Sequence, residues 1–341
     1  MDDPNITSRK TDHIRINLEK DVLSGLTTGL EKYHFIHQAL PEMDLEDVQL
    51  GQDIFGREVK IPILISSMTG GTHETGVINR RLAEAAQATG AAMGLGSMRA
   101  ALVDEDAKHS FMVRDIAPDI FLMANLGAVQ LNYGFTVDHC QMIVEMVGAD
   151  ALVLHLNPVQ EALQPEGDTR FANLLIKIEH VCKALSVPVV VKEVGWGISE
   201  KTARYLADAG VAAIDVAGAG GTSWSQVEMH RINAPRKVEV AAAFRKWGIP
   251  TAESIQMARS GAPGLPIFAS GGLNNGIDIA KCIALGACLG GLAGKLLQAA
   301  VESTEEVAET ILQIKEEIQI CMFASGASCV GQLQMMTLIK D

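Results

Sequence analysis

From Lys60 onward the chain alternates between short apolar runs and amphipathic stretches. The runs are IPILISSM (61–68), AAMGLGS (91–97), IFLMANLG (120–127), ADALVLHL (149–156), PVVVKEV (188–194), AAIDVAG (212–218), PIFASGG (266–272) and ACLGGLAG (287–294). Each is short enough for a strand and nearly unbroken, as a strand buried on both faces requires. Between them lie helical patterns such as GVINRRLAEAAQATG, SEKTARYLADAG and GIDIAKCIALG, several closing on the glycine expected just past a helix end. Eight strand–helix units of this kind predict an α/β fold, a (β/α)8 TIM barrel, over residues 61–341. A doubly wound open sheet is the alternative, but no GxGxxG follows the first strand.

Outside that pattern the reading is coarser. Residues 1–60 are dense in charge and show no sustained helical stripe, which predicts an N-terminal arm, a short helix near 27–38 and an extended segment near 47–59. The interval 218–266 is long and carries GAGGTSWSQVEMHR before its own helices. Long loops in compact domains are usually functional or mobile. Past the last strand, 303–319 reads as a Glu-rich helix, followed by a glycine-punctuated apolar segment.

Composition removes several classes of function. Nearly half of the 341 residues are apolar, yet no run approaches the roughly 18 apolar residues of a membrane span. The start, MDDPNITSRK, lacks the basic and apolar regions of a secretory signal, and the six cysteines form no CxxC pair, so reduced thiols and a cytoplasmic location are expected. A net charge of −13 argues against a nucleic-acid surface. Any anion must be held by local groups, each worth roughly 4 kcal/mol at about 4 Å and an effective dielectric of about 20.

The local groups gather at the predicted strand ends, where a barrel places its active site. In ALVLHLNPVQEALQPEGD (151–168), His155 and Asn157 share a strand face with Ala151 and Val153, Pro158 stops the ladder, and Gln160 and Glu161 follow. One imidazole, two carboxamides and one carboxylate suit a hydrated divalent cation with a phosphate; a solvated loop with a satisfied histidine is the plainer alternative. Lys192 ends the apolar run Val189, Val190, Val191, so it points into the mouth and needs a negative or electron-rich partner. Gly271 and Gly272 after strand seven, with Ala293 and Gly294 after strand eight, are the two loops that cradle a phosphate in many barrels.

SMTGG (67–71), GLGSMR (94–99), HLNPVQE (155–161), VKEVGWG (191–197), GAGGTSW (218–224) and ASGGL (269–273), with RKTDHI (9–14), resemble the type 2 isopentenyl-diphosphate isomerases, flavoproteins with FMN in a (β/α)8 barrel. The resemblance runs from about Arg9 through the barrel. It implies that Ser67, Met68, Thr69, Ser97, Asn125, Lys192 and Thr222 hold the flavin ring and ribityl chain. Gly271, Gly272, Leu273, Ala293 and Gly294 would hold its phosphate. Arg9, Lys10, His13, Ser97, Met98, Arg99, His155, Asn157 and Gln160 would surround isopentenyl diphosphate, and Glu161 would bind Mg²⁺ against the diphosphate. Gln160, His155, Lys192 and Glu228 would be the catalytic groups, with reduced FMN as the acid–base centre, NADPH as reductant, and residues 1–60 closing over the mouth. A homo-oligomer, tetramer or larger, is also implied. Members usually carry an arginine after the SGG-aliphatic run; here Asn274 stands there, leaving backbone N–H donors to serve the phosphate.

Two rivals remain at this level. An FMN-dependent 2-hydroxy-acid oxidase shares the barrel and the lysine, but needs a His-Gly-Gly-Arg-like loop where this chain has Met229, His230 and Arg231. A non-catalytic flavin or phosphometabolite sensor would lack the Mg²⁺ carboxylate, which Glu161 supplies in its full HLNPVQE setting.

Overall fold

The computed structural model describes residues 6–341, with the side chains of residues 6–9 and 11 left outside that description. Among the described residues, eight parallel strands close into a barrel: β1 (Ile63–Ile65), β2 (Ala92–Gly94), β3 (Leu122–Gly127), β4 (Ala151–His155), β5 (Val189–Lys192), β6 (Ala213–Asp215), β7 (Ile267–Ser270) and β8 (Leu289–Leu292). Leu292 pairs with Ile65, so the last strand closes on the first and the open-sheet alternative is excluded. Each lies within one of the eight predicted apolar runs.

The alternation of side chains sorts each strand into two faces. Ile63, Ile65, Leu152, Leu154, Val189 and Val191 point outward into the large core shared with the helices. Leu64, Met123, Val153, Val190, Ala213, Phe268 and Leu289 point inward and fill the barrel. The hairpin of Gln52–Ile54 and Arg57–Val59 plugs the bottom, with Ile54 and Val59 joining that inner cluster. One step further along each strand the inward position turns polar or small: Ser66, Gly94, Asn125, His155, Lys192, Asp215, Ser270 and Gly291. That layer is the floor of the site.

The N-terminal arm differs from expectation. Residues Ile6–Glu19 form a helix, and 27–38 holds only the 3₁₀ turn Leu30–Lys32 and a two-residue strand, Tyr33–His34, paired antiparallel with Ile339–Lys340. Gly29, at φ 76°, supplies a left-handed turn that a continuous helix across 27–38 cannot contain. The arm was expected but its helix was not, because the docked face is partly polar. Ile16 packs with Val22, Val227 and Trp224, while Lys10, His13 and Asn17 on the same helix line the cavity. Tertiary packing rather than an apolar stripe holds it. The long C-terminal helix, Thr304–Ser325, packs against His73–Thr89 and Gly276–Ala284 and is capped by Ser303, whose Oγ accepts from Glu306 N–H. No helix among the described residues is long and apolar enough to cross a membrane.

Candidate active site

A cavity of about 940 Å³ opens at the C-terminal ends of the strands, roofed on one side by the N-terminal helix. It is within the size range of cofactor pockets.

At the β7–β8 end its wall is mostly backbone. Gly271 and Gly272 have φ of 104° and 77°, and a Cβ on Gly271 would lie 2.1 Å from Gly218 O. A Cβ on Gly221 would lie 2.6 Å from Gly272 N, so the loops after β6 and β7 meet with no room for side chains. Leu273, Ala293 and Gly294 complete this end, and Gly294 starts the helix Gly294–Glu302. Bare N–H groups at a helix start beside a glycine loop fit a phosphate. Asn274 turns its amide onto Gly272 O at 2.9 Å.

Over the floor, Lys192 Nζ lies 3.3 Å from Asp215 Oδ2 and donates to Glu193 O at 2.9 Å. Asp215 Oδ1 in turn accepts from Ser270 Oγ at 2.7 Å. The negative partner that Lys192 requires is therefore Asp215, on the neighbouring strand in register with it. Sequence reasoning had the signal, a carboxylate interrupting the apolar run AAIDVAG, and passed over it. His155 Nδ1 donates to Asn125 Oδ1 at 2.8 Å, which leaves Nε2 as the lone-pair nitrogen of the neutral ring. Burial, and then the Lys192 charge, push its pKa down to about 4. Ser67, Met68, Thr69, Ser97 and Thr222 also line the cavity, and Ala217 beside them sits at φ 36°, a strained position of the kind found at functional sites.

The far end is a hydrogen-bonded ring of charge and carboxamide. Asn157 Nδ2 donates to Gln160 Oε1 at 3.0 Å and to Glu161 Oε1 at 2.9 Å, and Gln160 Nε2 donates to Glu228 Oε1 at 3.0 Å. Glu161 Oε2 accepts from Gln164 Nε2 and from the Asp168 backbone N–H. Asp168 accepts from Arg99 at 2.8 Å and from Gln130 at 2.9 Å. From the arm, Lys10 Nζ donates to Gly70 O and, at 2.9 Å, to Ser97 O, while His13 Nε2 donates to Glu228 Oε1 at 3.0 Å. Buried Asn157 Oδ1, beside the Glu161 carboxylate, has no hydrogen-bond partner. An orphaned carbonyl oxygen next to a carboxylate is the donor chemistry a magnesium ion takes.

Two residues depart from their expected places. Met98 is fully buried in the core behind the cavity and does not line it, because the 3₁₀ turn Met98–Leu102 turns its side chain inward while Arg99 faces the mouth. Glu228 is also fully buried, one layer behind Gln160 and His13, so its carboxylate touches them and does not line the cavity, and it is no solvated helix residue. Burial pushes its pKa up, but His13, Gln160 and Arg231 together outweigh that and hold it below the usual value. Arg231 donates to Glu228 Oε2 at 2.7 Å and to Glu166 at 3.2 Å. The side chain of Arg9 lies outside the described residues. Asp215, Asp168, Gln130, Gln164 and Arg231 are the partners that motif reading missed, and most are distant in sequence from the groups they hold.

The model of the FMN-dependent dehydrogenase family matches residues 137–340. An isopentenyl-diphosphate delta-isomerase of Rickettsia felis is 51% identical over 325 residues, 95% of this chain and 94% of its own length. That of Rickettsia bellii is 50% identical over 330 residues, 97% and 96% of the two chains. Among solved structures, a mandelate oxidase variant with a monooxide FMN adduct superposes with a TM-score of 0.67 at 20% identity over 97% of this chain and 92% of its own. Mandelate oxidase with benzoyl-formic acid gives 0.68 at 19% over 99% and 98%. At such identity these structures speak to the fold alone. At half identity over nearly the whole length the relatives speak to more: the chain belongs to the isopentenyl-diphosphate delta-isomerases, built on the FMN-dependent dehydrogenase barrel.

Proposed function

We propose that this chain converts isopentenyl diphosphate to dimethylallyl diphosphate, with FMN and Mg²⁺ bound and NADPH as the reductant that activates the flavin. The observation that carries the reading is the ring of Asn157, Gln160 and Glu161, backed by Glu228, that stands beside Lys10 and Arg99 at one end of a flavin-sized cavity. A diphosphate needs cations and a metal at one end, and the uncharged alkene needs a dry, electron-rich wall at the other.

The reaction moves a double bond: one carbon gains a proton, a carbon two positions away loses one, and the tertiary centre between them carries positive charge on the way. An unactivated alkene is a very weak base, so the acid must be placed well and water kept out. Bound and reduced, FMN supplies an electron-rich ring that can exchange protons and lie against the developing cation. The chain's own residues do the rest. Lys10 and Arg99 would draw in the diphosphate, and Glu161 with Asn157 Oδ1 would offer oxygen ligands to a Mg²⁺ ion shared with the substrate. Gln160, held from behind by Glu228, fixes its amide toward the cavity, and His13 is held by the same carboxylate. His155, neutral with Nε2 as acceptor, receives a donor without adding charge near the cation. Lys192, partnered by Asp215, lines the cavity where it would offer its ammonium to a bound flavin. Of the cavity's lining, Ser67, Met68, Thr69, Ser97, Asn125 and Thr222 would hold the flavin, and Gly271, Gly272, Leu273, Ala293 and Gly294 its phosphate.

Within the segment 1–60 it is the helix Ile6–Glu19 that would serve as a cover over the barrel mouth, the His13 to Glu228 contact tying it there, while the 52–59 hairpin closes the opposite end. A cytoplasmic, homo-oligomeric enzyme of four or more subunits completes the reading. The test is direct: protein loaded with FMN, reduced with NADPH and given Mg²⁺ should turn isopentenyl diphosphate into dimethylallyl diphosphate, followed by proton NMR. A colourless preparation that ignores added FMN, or a yellow one that oxidises 2-hydroxy acids and leaves isopentenyl diphosphate untouched, would sink the reading.

A further inference from the structure

We propose that Lys295 is the cation that neutralises the phosphate of the bound flavin mononucleotide, an inference that rests on the FMN reading above. Asn274 offers no charge there: its amide is spent on Gly272 O at 2.9 Å and its backbone N–H on Asp278 Oδ2 at 3.0 Å. Lys295 is the second residue of the helix Gly294–Glu302, whose start carries no side-chain cap. A Cβ built on Gly294 would meet nothing within 4 Å, so the space beside the helix start, which lines the cavity, is open. The lysine does not trail into solvent. Its Nζ reaches across the mouth to Asn274 O at 3.0 Å, and the residue itself lines the cavity.

A second observation marks the same end as built for a ligand. Ser66 is 4% exposed, lines the cavity, and its Oγ has no hydrogen-bond partner. That hydroxyl stands 2.6 Å from where a Cβ on Gly291 would be, so a glycine on β8 keeps the space around it clear. An unpaired buried hydroxyl, two glycine loops and an uncapped helix start all supply neutral donors. A phosphate monoester near neutral pH carries a charge of about −1.5 to −2, which neutral donors solvate but do not cancel. Lys295 supplies the cancelling charge from the element that already faces the group. Lys20 also lines the cavity but is exposed on the rim, where solvent screens it.

Flavin-free protein should be titrated with FMN and, separately, with riboflavin, which has the same ring and ribityl chain and no phosphate, with binding read from flavin fluorescence at two KCl concentrations. Lys295→Met should weaken FMN by roughly tenfold, about 1.4 kcal/mol, leave riboflavin unchanged, and flatten the salt dependence of FMN binding. Lys295→Arg should restore most of the loss. If FMN and riboflavin weaken together, Lys295 only staples the loop through Asn274 O and the proposal is overturned. If neither moves, it is a solvated surface lysine and the proposal is overturned as well. Parent protein that binds neither flavin would instead overturn the FMN reading itself, and this proposal with it.

Discussion

Replacing Asp215 by asparagine deletes the charge against which Lys192 is buried and keeps the side chain's shape. Lys192 and Asp215 are 7% and 3% exposed, and their charged atoms are 3.3 Å apart. At that separation an effective dielectric of about 20 gives an attraction of roughly 5 kcal/mol. Lys192 keeps one partner, the Glu193 carbonyl at 2.9 Å, and water can reach it through the cavity, so the net loss should be about 2–4 kcal/mol. Urea unfolding of the flavin-free protein, followed by circular dichroism at pH 7, measures it. The reasoning makes a sharper claim about the pair. Asp215→Asn combined with Lys192→Met leaves no charge unpaired, so the double variant should be more stable than Asp215→Asn alone. Two results would refute this: an Asp215→Asn midpoint within about 0.5 kcal/mol of the parent, the range of an unimportant surface change, or a double variant that loses the sum of both single losses.

Glu161→Gln should fold, at a cost of about 1 kcal/mol, since the new amide must face donors on Asn157, Gln164 or Asp168; its isomerase rate should drop steeply and recover only in part with added Mg²⁺, and a rate curve that superimposes on the parent's would rule out the metal role. Arg231→Met leaves the fully buried Glu228 without its cation, so we expect about 3 kcal/mol less stability and an acid limb of kcat/KM that moves to higher pH, because a carboxyl losing a positive neighbour binds its proton more tightly; an unmoved limb contradicts it. His155 holds off its proton to about pH 4 in the folded chain against roughly 6.5 when unfolded, so the unfolded chain binds the extra proton in that window and stability falls as pH drops through it. Urea midpoints of parent and His155→Gln should differ by a constant amount above about pH 7, and the parent should lose ground to the variant below that; parallel curves down to pH 4 would be the contrary result. Lys10→Ala should raise KM for isopentenyl diphosphate and leave FMN affinity nearly unchanged, whereas loss of flavin would place the arm on the cofactor instead.

The barrel was legible because each strand is buried on both faces, which writes a short uninterrupted apolar run with a polar residue at its end. The same logic put His155 and Lys192 on the inner face, where they stand. It failed for the arm's helix: one whose buried face must carry Lys10, His13 and Asn17 to a polar cavity has no hydrophobic stripe to show. It failed at Met98 because a turn, unlike a strand, does not alternate its side chains, so Arg99 faces the mouth and its neighbour the core. Glu161 and its donors Asn157 and Gln164 are close in sequence, and the cluster could be suspected from spacing. Glu228 lies 68 positions from Gln160, and only the packing of two short helices, Pro158–Leu163 after β4 and Trp224–Met229 after β6, brings them together.

The charge distribution answers how a chain of net charge −13 can hold two anions in one cavity. Beyond roughly 8 Å surface charge is largely screened, so what a bound phosphate feels is the lining. On the floor the one cation, Lys192, is matched by Asp215, and the neighbouring imidazole stays neutral partly because that cation is there. The middle of the cavity is therefore close to neutral, which suits a flat aromatic ring and an uncharged alkene. The cations stand at the two ends: Lys295 beside the glycine loops, and Lys10 with Arg99 at the carboxamide ring. Each is held by a hydrogen bond, Lys295 to Asn274 O, Lys10 to Ser97 O and Arg99 to Asp168, so less side-chain freedom is lost when an anion arrives. At the ring end Glu161 adds a negative charge beside those cations, which would repel a diphosphate on its own. A divalent cation between Glu161 and the substrate would turn that repulsion into attraction, and for this reason the isomerase rate is expected to depend on Mg²⁺ while flavin binding at the other end is not.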